Sequence, residues 1–241
     1  MRPQLDDILR LSRYYGRDPE WVIAGGGNSS VKNDTTLMIK ASGTSLAEAS
    51  QESFVAIDRR RLAPVWNKEY PAKVEERERA ALADLMEARE PGEELRPSVE
   101  TGMHDVLPQP LVLHTHPTVL NGLLCSREGH RIATELFGSS ALWIPSINPG
   151  YVLSKRISDE VKGYTRHNGT PPAIVLLENH GITVAAKRRD AIHELHRTLL
   201  EAVLGRIVRE PDMAAVAADY GLVAQVSAAL TEAYHTVAGA E

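Results

Sequence analysis

The sequence is poor in cysteine and in long apolar runs. Cys125 is its single cysteine, which excludes an internal disulfide and a zinc cluster built from thiolates, and fits a reducing compartment. Residues 1–18 mix charges with Leu and Ile and lack the uninterrupted apolar stretch of a signal peptide. No window approaches the roughly 18 apolar residues that span a bilayer. We therefore expect a cytoplasmic protein with no membrane partner.

A strong excess of either charge is also missing. The formal net charge is -5 and the sequence pI is about 6.0, whereas nucleic-acid-binding proteins usually concentrate Lys and Arg on one face. The two basic runs, residues 59–61 and 187–189, are short and more typical of solvated helix starts or turns than of phosphate-binding patches. We expect no nucleic-acid partner.

What the sequence does contain is typical of a soluble globular protein. It has 241 residues, of which 43% are hydrophobic and 24% charged. This length can bury a sizeable core and lies near the upper end of what one compact unit usually holds. We predict a single domain over residues 1–241.

Hydrophobic periodicity predicts short strands that alternate with helices. A stripe of Leu and Ile predicts an opening helix over residues 4–15, and Asn33-Asp34 between apolar runs predicts a hairpin. Further helices are predicted over residues 72–89, 98–107, 118–125 and 131–137, after Gly150, and twice near the C-terminus; further strands are predicted over residues 54–57, 111–113, 142–144, 174–177 and 182–186. This order favours a layered α/β domain with a partly antiparallel sheet.

Two histidines, His114 and His116, come directly after a predicted buried strand. Because side chains two residues apart on an extended segment point to the same side, both imidazoles can reach one ion. A third histidine, His180, precedes Gly181 and could complete a three-histidine site with open coordination positions. The alternative is that these histidines are partly buried and hydrogen bonded. Imidazole accepts zinc, iron, cobalt, nickel and manganese, so zinc is only a starting expectation.

Metal-assisted chemistry usually needs a separate proton acceptor, and Glu100 is the candidate. It precedes the histidine strand near the start of a predicted helix, with His104 one turn further on the same face. The alternative is a first-turn acid that is favoured by the helix dipole.

Two segments of small residues could bind an anion. Residues 25–27 are glycines followed by Asn28 and two serines, and residues 41–44 again combine free N–H groups with short hydroxyls. Neither segment has the lysine and spacing of a Walker loop or the GxGxxG of a Rossmann turn. Each alone is more often a plain turn.

Five motifs carry a resemblance when they are taken in order: GGGNSSVK, ASGT, PSVETGMH, LVLHTHP and ENHGITVAA. Together they resemble the class II aldolase/adducin family, which includes sugar-phosphate aldolases, a pentulose-phosphate 4-epimerase and a thiosugar-phosphate dehydratase. The resemblance covers about residues 5–205. It implies an α/β fold with a single mixed, largely antiparallel sheet flanked by helices, assembled as a homotetramer with sites between subunits.

The triple-glycine form is most similar to the aldolase domains of bifunctional rhamnulose-phosphate aldolase/short-chain dehydrogenase proteins, which act in deoxysugar breakdown. We expect that domain to stand alone here. In relatives a C-terminal tyrosine from a neighbouring subunit can serve as an acid, for which Tyr220 and Tyr234 are candidates.

Carried over position by position, the resemblance assigns roles to single residues. It implies that His114, His116 and His180 bind a divalent metal, zinc first, with manganese or cobalt as alternatives, and that Glu100 is the acid/base. The positions that match contacts to a substrate phosphate are Asn28, Ser42, Gly43 and Ser98. One departure weakens the phosphate assignment, because ketose 1-phosphate aldolases often have two adjacent serines where this chain has Ser98 and then Val99.

These inferences predict a metal-dependent aldolase that cleaves a ketose or ketose 1-phosphate through an enediolate. A sugar-acid-phosphate decarboxylase, a 4-epimerase or a dehydratase of the same family would use the same chemistry, and these alternatives stay open. A non-catalytic scaffold like the adducins is disfavoured because those proteins lack the metal ligands. The partner is expected to be a small sugar or sugar phosphate.

Overall fold

The computed structural model of the chain describes residues 3–209 and 220–238, in which seven strands form one sheet. In chain order the strands are β1 (Asn28–Lys32), β2 (Thr36–Lys40), β3 (Phe54–Asp58), β4 (Leu111–Thr115), β5 (Leu142–Ile144), β6 (Ile174–Leu177) and β7 (Gly181–Ala186). Across the sheet their order is β3-β2-β1-β4-β7-β6-β5. The β5–β6 pair is parallel and the other pairs are antiparallel, which confirms the expected mixed, largely antiparallel sheet.

Helices cover both faces of this sheet, as expected. In chain order the helices of the described residues are α1 (Asp6–Gly16), α2 (Arg59–Leu62), α3 (Val74–Glu87), α4 (Thr101–Val106), α5 (Thr118–Leu124), α6 (Gly129–Phe137), α7 (Tyr151–Asn168), α8 (Arg189–Leu204) and α9 (Tyr220–Ala238). One apolar core joins α1, α5, α6 and α8 to the first face. Two further cores join α2, α3, α4 and α7 to the opposite face.

The opening helix illustrates how the sequence pattern sets the packing. Asp6 lies in the first turn of α1, where a carboxylate interacts favourably with the helix N-terminus. Ile8, Leu11 and Tyr15 follow at helical spacing and are buried against the sheet. The predicted helix over residues 4–15 therefore agrees closely with α1.

Strand β4 lies in the middle of the sheet and is buried along its whole length. Leu111 and Leu113 point into the core shared with α1 and α8, whereas Val112 points into the core shared with α4 and α7. By the same alternation, His114 is on the α4 and α7 face. The pleat of β4 thus decides which helices surround the first histidine.

The helix predicted over residues 98–107 is shorter in the structure and starts at Thr101. Pro97 forms an isolated bridge with Ala41, which keeps the preceding segment extended. The main-chain oxygen of Ser98 accepts hydrogen bonds from the N–H and the hydroxyl of Thr101. Glu100 is consequently the N-cap residue of α4 and does not lie in its first turn.

The chain divides into two compact units, one ending at Arg206 and one starting at Ile207. The first holds the sheet and α1 to α8. The second holds α9, on which Leu222, Val226 and Leu230 are exposed. A single domain over residues 1–241 stays a prediction.

None of the helices in the described part of the chain combines the length and the apolar character that crossing a bilayer requires.

Candidate metal centre

His114 is fixed by the pairing of β4 with β7, in which it lies opposite Thr183. Its ring is fully buried, and Nδ1 is 2.8 Å from the Ile182 main-chain oxygen and 3.2 Å from the Thr183 hydroxyl. A carbonyl can only accept, so Nδ1 carries the hydrogen and Nε2 keeps its lone pair. Partners of this kind on the far nitrogen commonly orient metal-binding histidines.

His116 and His180 bring their rings to the same place from two other segments. The Nε2 atoms of His116 and His114 are 2.9 Å apart. His180 lies in the turn between β6 and β7, and its ring centroid is 4.8 Å from that of His114. One nitrogen from each of the three rings lies within 4.8 Å of the other two. The structure therefore unites the three histidines that the sequence singled out.

Gly181 allows this convergence because it has no side chain. A Cβ atom at this position would lie 2.5 Å from the Thr115 main-chain oxygen and 2.6 Å from Cδ2 of His116. Those distances are too short for carbon, so any larger residue would displace the ring or the strand. The glycine that follows His180 in the sequence is required by the close approach of β4.

Glu100 reaches the same cluster from the start of α4. Its Oε1 is 3.4 Å from Nε2 of His114 and 3.3 Å from Nε2 of His180. Burial raises the pKa of Glu100, but the neighbouring imidazoles of His114 and His180 lower it by more, so the carboxyl group is ionised at neutral pH. The structure thus places a carboxylate beside two of the three histidines.

Two of the histidines, His114 and His116, are neutral at neutral pH. Burial lowers the pKa of His114 to about 4, against the opposing charge of Glu100. The pKa of His116 is also lowered, chiefly by burial. A neutral imidazole offers a lone pair to a metal without first losing a proton.

These side chains fit a divalent metal ion. Three imidazoles are a donor set that suits zinc, manganese or cobalt, and three protein ligands leave positions open for a substrate. In the part of the chain that the structure describes, Nδ1 of His180 is buried without a hydrogen-bond partner. A bound ion would supply a partner for a ring whose Nε2 otherwise contacts Glu100.

The four candidate phosphate-binding residues lie on segments next to this cluster. Asn28 pairs with His114 across β1 and β4. Ser42 and Gly43 follow the end of β2, where the Ser42 N–H donates to the Arg96 main-chain oxygen and so holds this loop beside Ser98. The Ser98 hydroxyl in turn accepts a hydrogen bond from the Glu100 N–H at 3.2 Å.

The serines after Asn28 are not available to bind an anion through their hydroxyls. The hydroxyl of Ser29 is 2.8 Å from that of Ser12 on α1, and the hydroxyl of Ser30 is 2.8 Å from Nδ1 of His104 on α4. All four side chains are buried. Strand alternation sends these two hydroxyls to opposite faces, which a count of short polar residues does not reveal.

Lys40 is a residue of this region that sequence reasoning missed. Its ammonium is buried and donates to the main-chain oxygen of Thr44 at 2.6 Å. Burial lowers the pKa of Lys40, while the charge of Glu100 opposes that shift. A lysine directly before the ASGT motif was the available signal.

The candidate acids Tyr220 and Tyr234 lie on α9, and their side chains are outside the described residues.

Comparison with known proteins identifies the family of this chain. Residues 6–203 match the family described as Class II Aldolase and Adducin N-terminal domain. The chain belongs to this family. Among curated proteins it is 26% identical over 199 residues to the uncharacterized oxidoreductase YuxG of Bacillus subtilis strain 168. That match includes 79% of this chain and 27% of YuxG, so the chain spans only about a quarter of that relative.

Several solved structures have the same fold. The N-terminal class II aldolase domain of a conserved Thermoplasma acidophilum protein matches with a TM-score of 0.68 at 23% identity, covering 86% of this chain and 94% of that one. An L-fuculose 1-phosphate aldolase matches with a TM-score of 0.53 at 18% identity, covering 91% and 94%. YgbL of Klebsiella pneumoniae, described as a candidate aldolase, epimerase or decarboxylase, matches with a TM-score of 0.57 at 16% identity, covering 86% and 91%.

Proposed function

We propose that this protein is a metal-dependent aldolase that cleaves a ketose or ketose 1-phosphate in the breakdown of deoxysugars. One observation carries the proposal: Oε1 of Glu100 lies 3.3–3.4 Å from Nε2 of both His114 and His180. A carboxylate beside a cluster of imidazoles combines a proton acceptor with a set of metal ligands. Membership of the class II aldolase and adducin family supports the same assignment.

In this proposal His114, His116 and His180 hold the metal, with zinc as the first expectation and manganese or cobalt as alternatives. When bound there, the ion would supply a positive charge that stabilises negative charge on substrate oxygen. The Ile182 oxygen and the Thr183 hydroxyl orient His114, so that its Nε2 faces the site. These contacts reduce the reorganisation that binding requires.

Glu100 is the acid/base. As an ionised carboxylate it accepts the proton of the substrate hydroxyl while the carbon–carbon bond breaks, which releases an aldehyde and leaves an enediolate. It then returns a proton to the enediolate carbon. The 3.2 Å hydrogen bond between the Glu100 N–H and Ser98 fixes the main chain from which this carboxylate extends.

A phosphorylated substrate would place its phosphate among Asn28, Ser42, Gly43 and Ser98. The Ser42 N–H already donates to the Arg96 oxygen, so the loop after β2 would contribute the Gly43 N–H and the Ser42 hydroxyl, and Ser98 would contribute a second hydroxyl. Val99 is 43% exposed where a second hydroxyl would strengthen phosphate binding. Substitution Val99→Ser should raise the ratio of kcat/KM for phosphorylated over free ketose by about 5-fold, roughly 1 kcal/mol of added hydrogen bonding. An unchanged ratio would argue that the phosphate does not lie here.

The decisive experiment measures aldehyde release from a panel of free ketoses and ketose 1-phosphates by purified protein. Activity is assayed before and after chelation and again after addition of zinc, manganese or cobalt. Cleavage that disappears with the chelator and returns with one metal would support the proposal. Metal-loaded protein that cleaves none of these substrates would overturn it.

The alternatives give different products from the same experiment. Carbon dioxide release from a sugar-acid phosphate would indicate a decarboxylase, inversion without cleavage would indicate a 4-epimerase, and loss of water would indicate a dehydratase. Because YgbL has a similar fold and is described as a candidate aldolase, epimerase or decarboxylase, decarboxylation and epimerisation are the first alternatives to test. Protein that binds no metal would instead favour an adducin-like scaffold.

The setting of the enzyme is also part of the proposal. The family resemblance favours a cytoplasmic homotetramer with sites between subunits, acting on a small sugar or sugar phosphate without nucleic-acid or membrane partners. Light scattering of the purified full chain would measure the assembly. A monomer that retains full activity would exclude sites shared between subunits.

A further inference from the structure

A buried polar contact joins β1 to α4 and has no place in the reaction proposed above. The hydroxyl of Ser30 is 2.8 Å from Nδ1 of His104, and the ammonium of Lys32 donates to the main-chain oxygen of His104 at 2.8 Å. All three residues are buried. We propose that Ser30 and Lys32 clamp His104 and thereby position Glu100, an inference that rests on the acid/base role proposed for Glu100.

The path from this clamp to Glu100 is a single helical turn. Glu100 is the N-cap of α4, and the His104 N–H donates to the Glu100 main-chain oxygen at 3.3 Å. The helix has six residues, far fewer than the roughly 12–15 that make an isolated helix stable in water. Its position therefore depends on its tertiary contacts, and the clamp acts on the residue that is bonded to Glu100.

Strand β1 carries the two clamp residues and also pairs with β4, the strand of His114. Ser30 and Lys32 are two residues apart on β1, so both point to the α4 face. At the other end of β1, Asn28 pairs with His114. Strand β1 thus fixes His114 through the sheet and Glu100 through the clamp. These two connections help to set the 3.4 Å separation of Glu100 from His114.

A lysine at this position is not what stability alone would favour. Burial lowers the pKa of Lys32 to about 7, with the charge of Asp105 opposing the shift and that of Arg59 adding to it. Burying an amine costs free energy that a methionine of similar length would not cost. The hydrogen bond to His104 is the specific contact that a methionine could not make.

The imidazole ring of His104 has a hydrogen-bond partner at only one of its two nitrogens among the described residues. Its Nδ1 bonds Ser30, whereas its Nε2 is buried without a hydrogen-bond partner among the residues that the structure describes. Loss of the Ser30 hydroxyl would therefore leave both ring nitrogens without a partner. This makes Ser30 the sharper test of the ring contact and Lys32 the sharper test of the main-chain contact.

The test compares Lys32→Met and Ser30→Ala with Ser29→Ala in the full chain. Ser29 is the matched control, because it is equally buried but its hydroxyl bonds Ser12 on the opposite face of β1. We expect kcat to fall by about 10- to 100-fold in both clamp variants, with KM and bound metal nearly unchanged. The control should stay within about twofold of the unaltered protein in kcat.

A double-mutant comparison separates positioning from general damage. In a Glu100→Gln background, Lys32→Met should lower the residual kcat by less than about twofold, because the group that it positions is no longer an acid/base. An equal loss in both backgrounds would overturn the proposal. Full activity of both clamp variants with Glu100 present would also overturn it.

Amide hydrogen exchange tests the clamp without any substrate. The His104 N–H should exchange faster in both clamp variants than in Ser29→Ala when the three are compared at equal global stability. If the unaltered protein cleaves no sugar, the proposed function fails, and this measurement still decides whether the clamp holds α4. Unchanged exchange at His104 would overturn it.

Discussion

Two groups of histidines lie on opposite faces of the sheet and use their ring nitrogens differently. The three-histidine cluster, His114, His116 and His180, brings one nitrogen from each ring within 4.8 Å of the others. On the other face the histidines of α8 bond within the protein. His196 Nδ1 donates to the Ile192 main-chain oxygen at 2.9 Å, and His193 Nδ1 is 3.0 Å from the Tyr15 hydroxyl.

Burial alone does not distinguish the two groups. It lowers the pKa of His114 to about 4 and that of His196 to about 3, so both rings are neutral at neutral pH. The difference is that Nε2 of His114 meets another imidazole and a carboxylate, whereas Nε2 of His196 is 3.4 Å from the Thr115 hydroxyl. The candidate site is distinguished by three ring nitrogens that lie close together, and not by a lowered pKa.

The largest expected effect comes from removing a ring from the cluster. His180→Ala should lose bound metal and lower kcat/KM by about 1000-fold, roughly 4 kcal/mol. His196→Gln, the matched change on the other face, should keep one metal per chain and most of its activity. Metal analysis of both variants after dialysis, together with kinetics, makes the comparison. Equal loss of metal in the two would erase the distinction between the groups.

The next effect concerns Glu100, the carboxylate beside the three-histidine cluster. Glu100→Gln preserves shape but cannot accept a proton, so kcat should fall by about 100- to 10,000-fold while metal content is unchanged. Steady-state kinetics of metal-loaded protein measures this, with Glu78→Gln as a control carboxylate on α3. A Glu100→Gln variant with normal kcat would remove Glu100 from the mechanism.

A smaller effect should follow from filling the space beside the cluster. In Gly181→Ala the added carbon would start 2.6 Å from Cδ2 of His116, so this ring has to move. We expect metal affinity to fall by about 10- to 100-fold, as for other changes that disturb ligand orientation. Titration with a competing chelator measures the affinity. Gly163→Ala, where the added carbon meets nothing, is the control.

The effect that is smallest near neutral pH concerns His196 on α8, and it grows as the pH falls. The pKa of His196 falls from 6.5 to about 3 on folding, chiefly by burial. Below pH 6.5 the unfolded chain takes up a proton at this residue that the folded chain does not. The contribution of His196 to stability is therefore complete above pH 6.5 and declines as the pH falls toward 3, by roughly 1.4 kcal/mol per unit. In His196→Gln, the free energy of unfolding of the metal-free protein, measured with urea, should depend less on pH. The same dependence on pH in this variant and in the unaltered protein would contradict the assignment.

Much of the fold was predictable because many of its strands and helices have simple local patterns of apolar residues. Apolar runs located β4 and β6, a stripe of Leu and Ile located α1, and a charged, Ala-rich stretch located α3, each within a few residues. The spacing of His114 and His116 predicted that both rings would share one side of β4. These features depend on local alternation, which a sequence displays directly.

The remaining features depend on what packs across the sheet. The meeting of His180 with His114 follows from the antiparallel pairing of β4 and β7, which no local pattern encodes. Ser30 and Ser42 look alike as short polar residues after or near glycines, yet Ser30 is bonded to His104 whereas Ser42 lies in a loop beside Ser98. The contact between Lys32 and α4 was invisible for the same reason.

The central position of β4 has a consequence for folding. On one side of it the sheet continues through β1, β2 and β3, and on the other through β7, β6 and β5, so the N-terminal and C-terminal halves of the chain meet at this strand. His114 on β4 and His180 before β7 come together only after that seam has closed. An ion bound by both would favour the closed seam by mass action, contributing about 2.7 kcal/mol at a hundredfold excess over its dissociation constant. The concentration of metal would then affect the fraction of molecules that are folded as well as the fraction that are active.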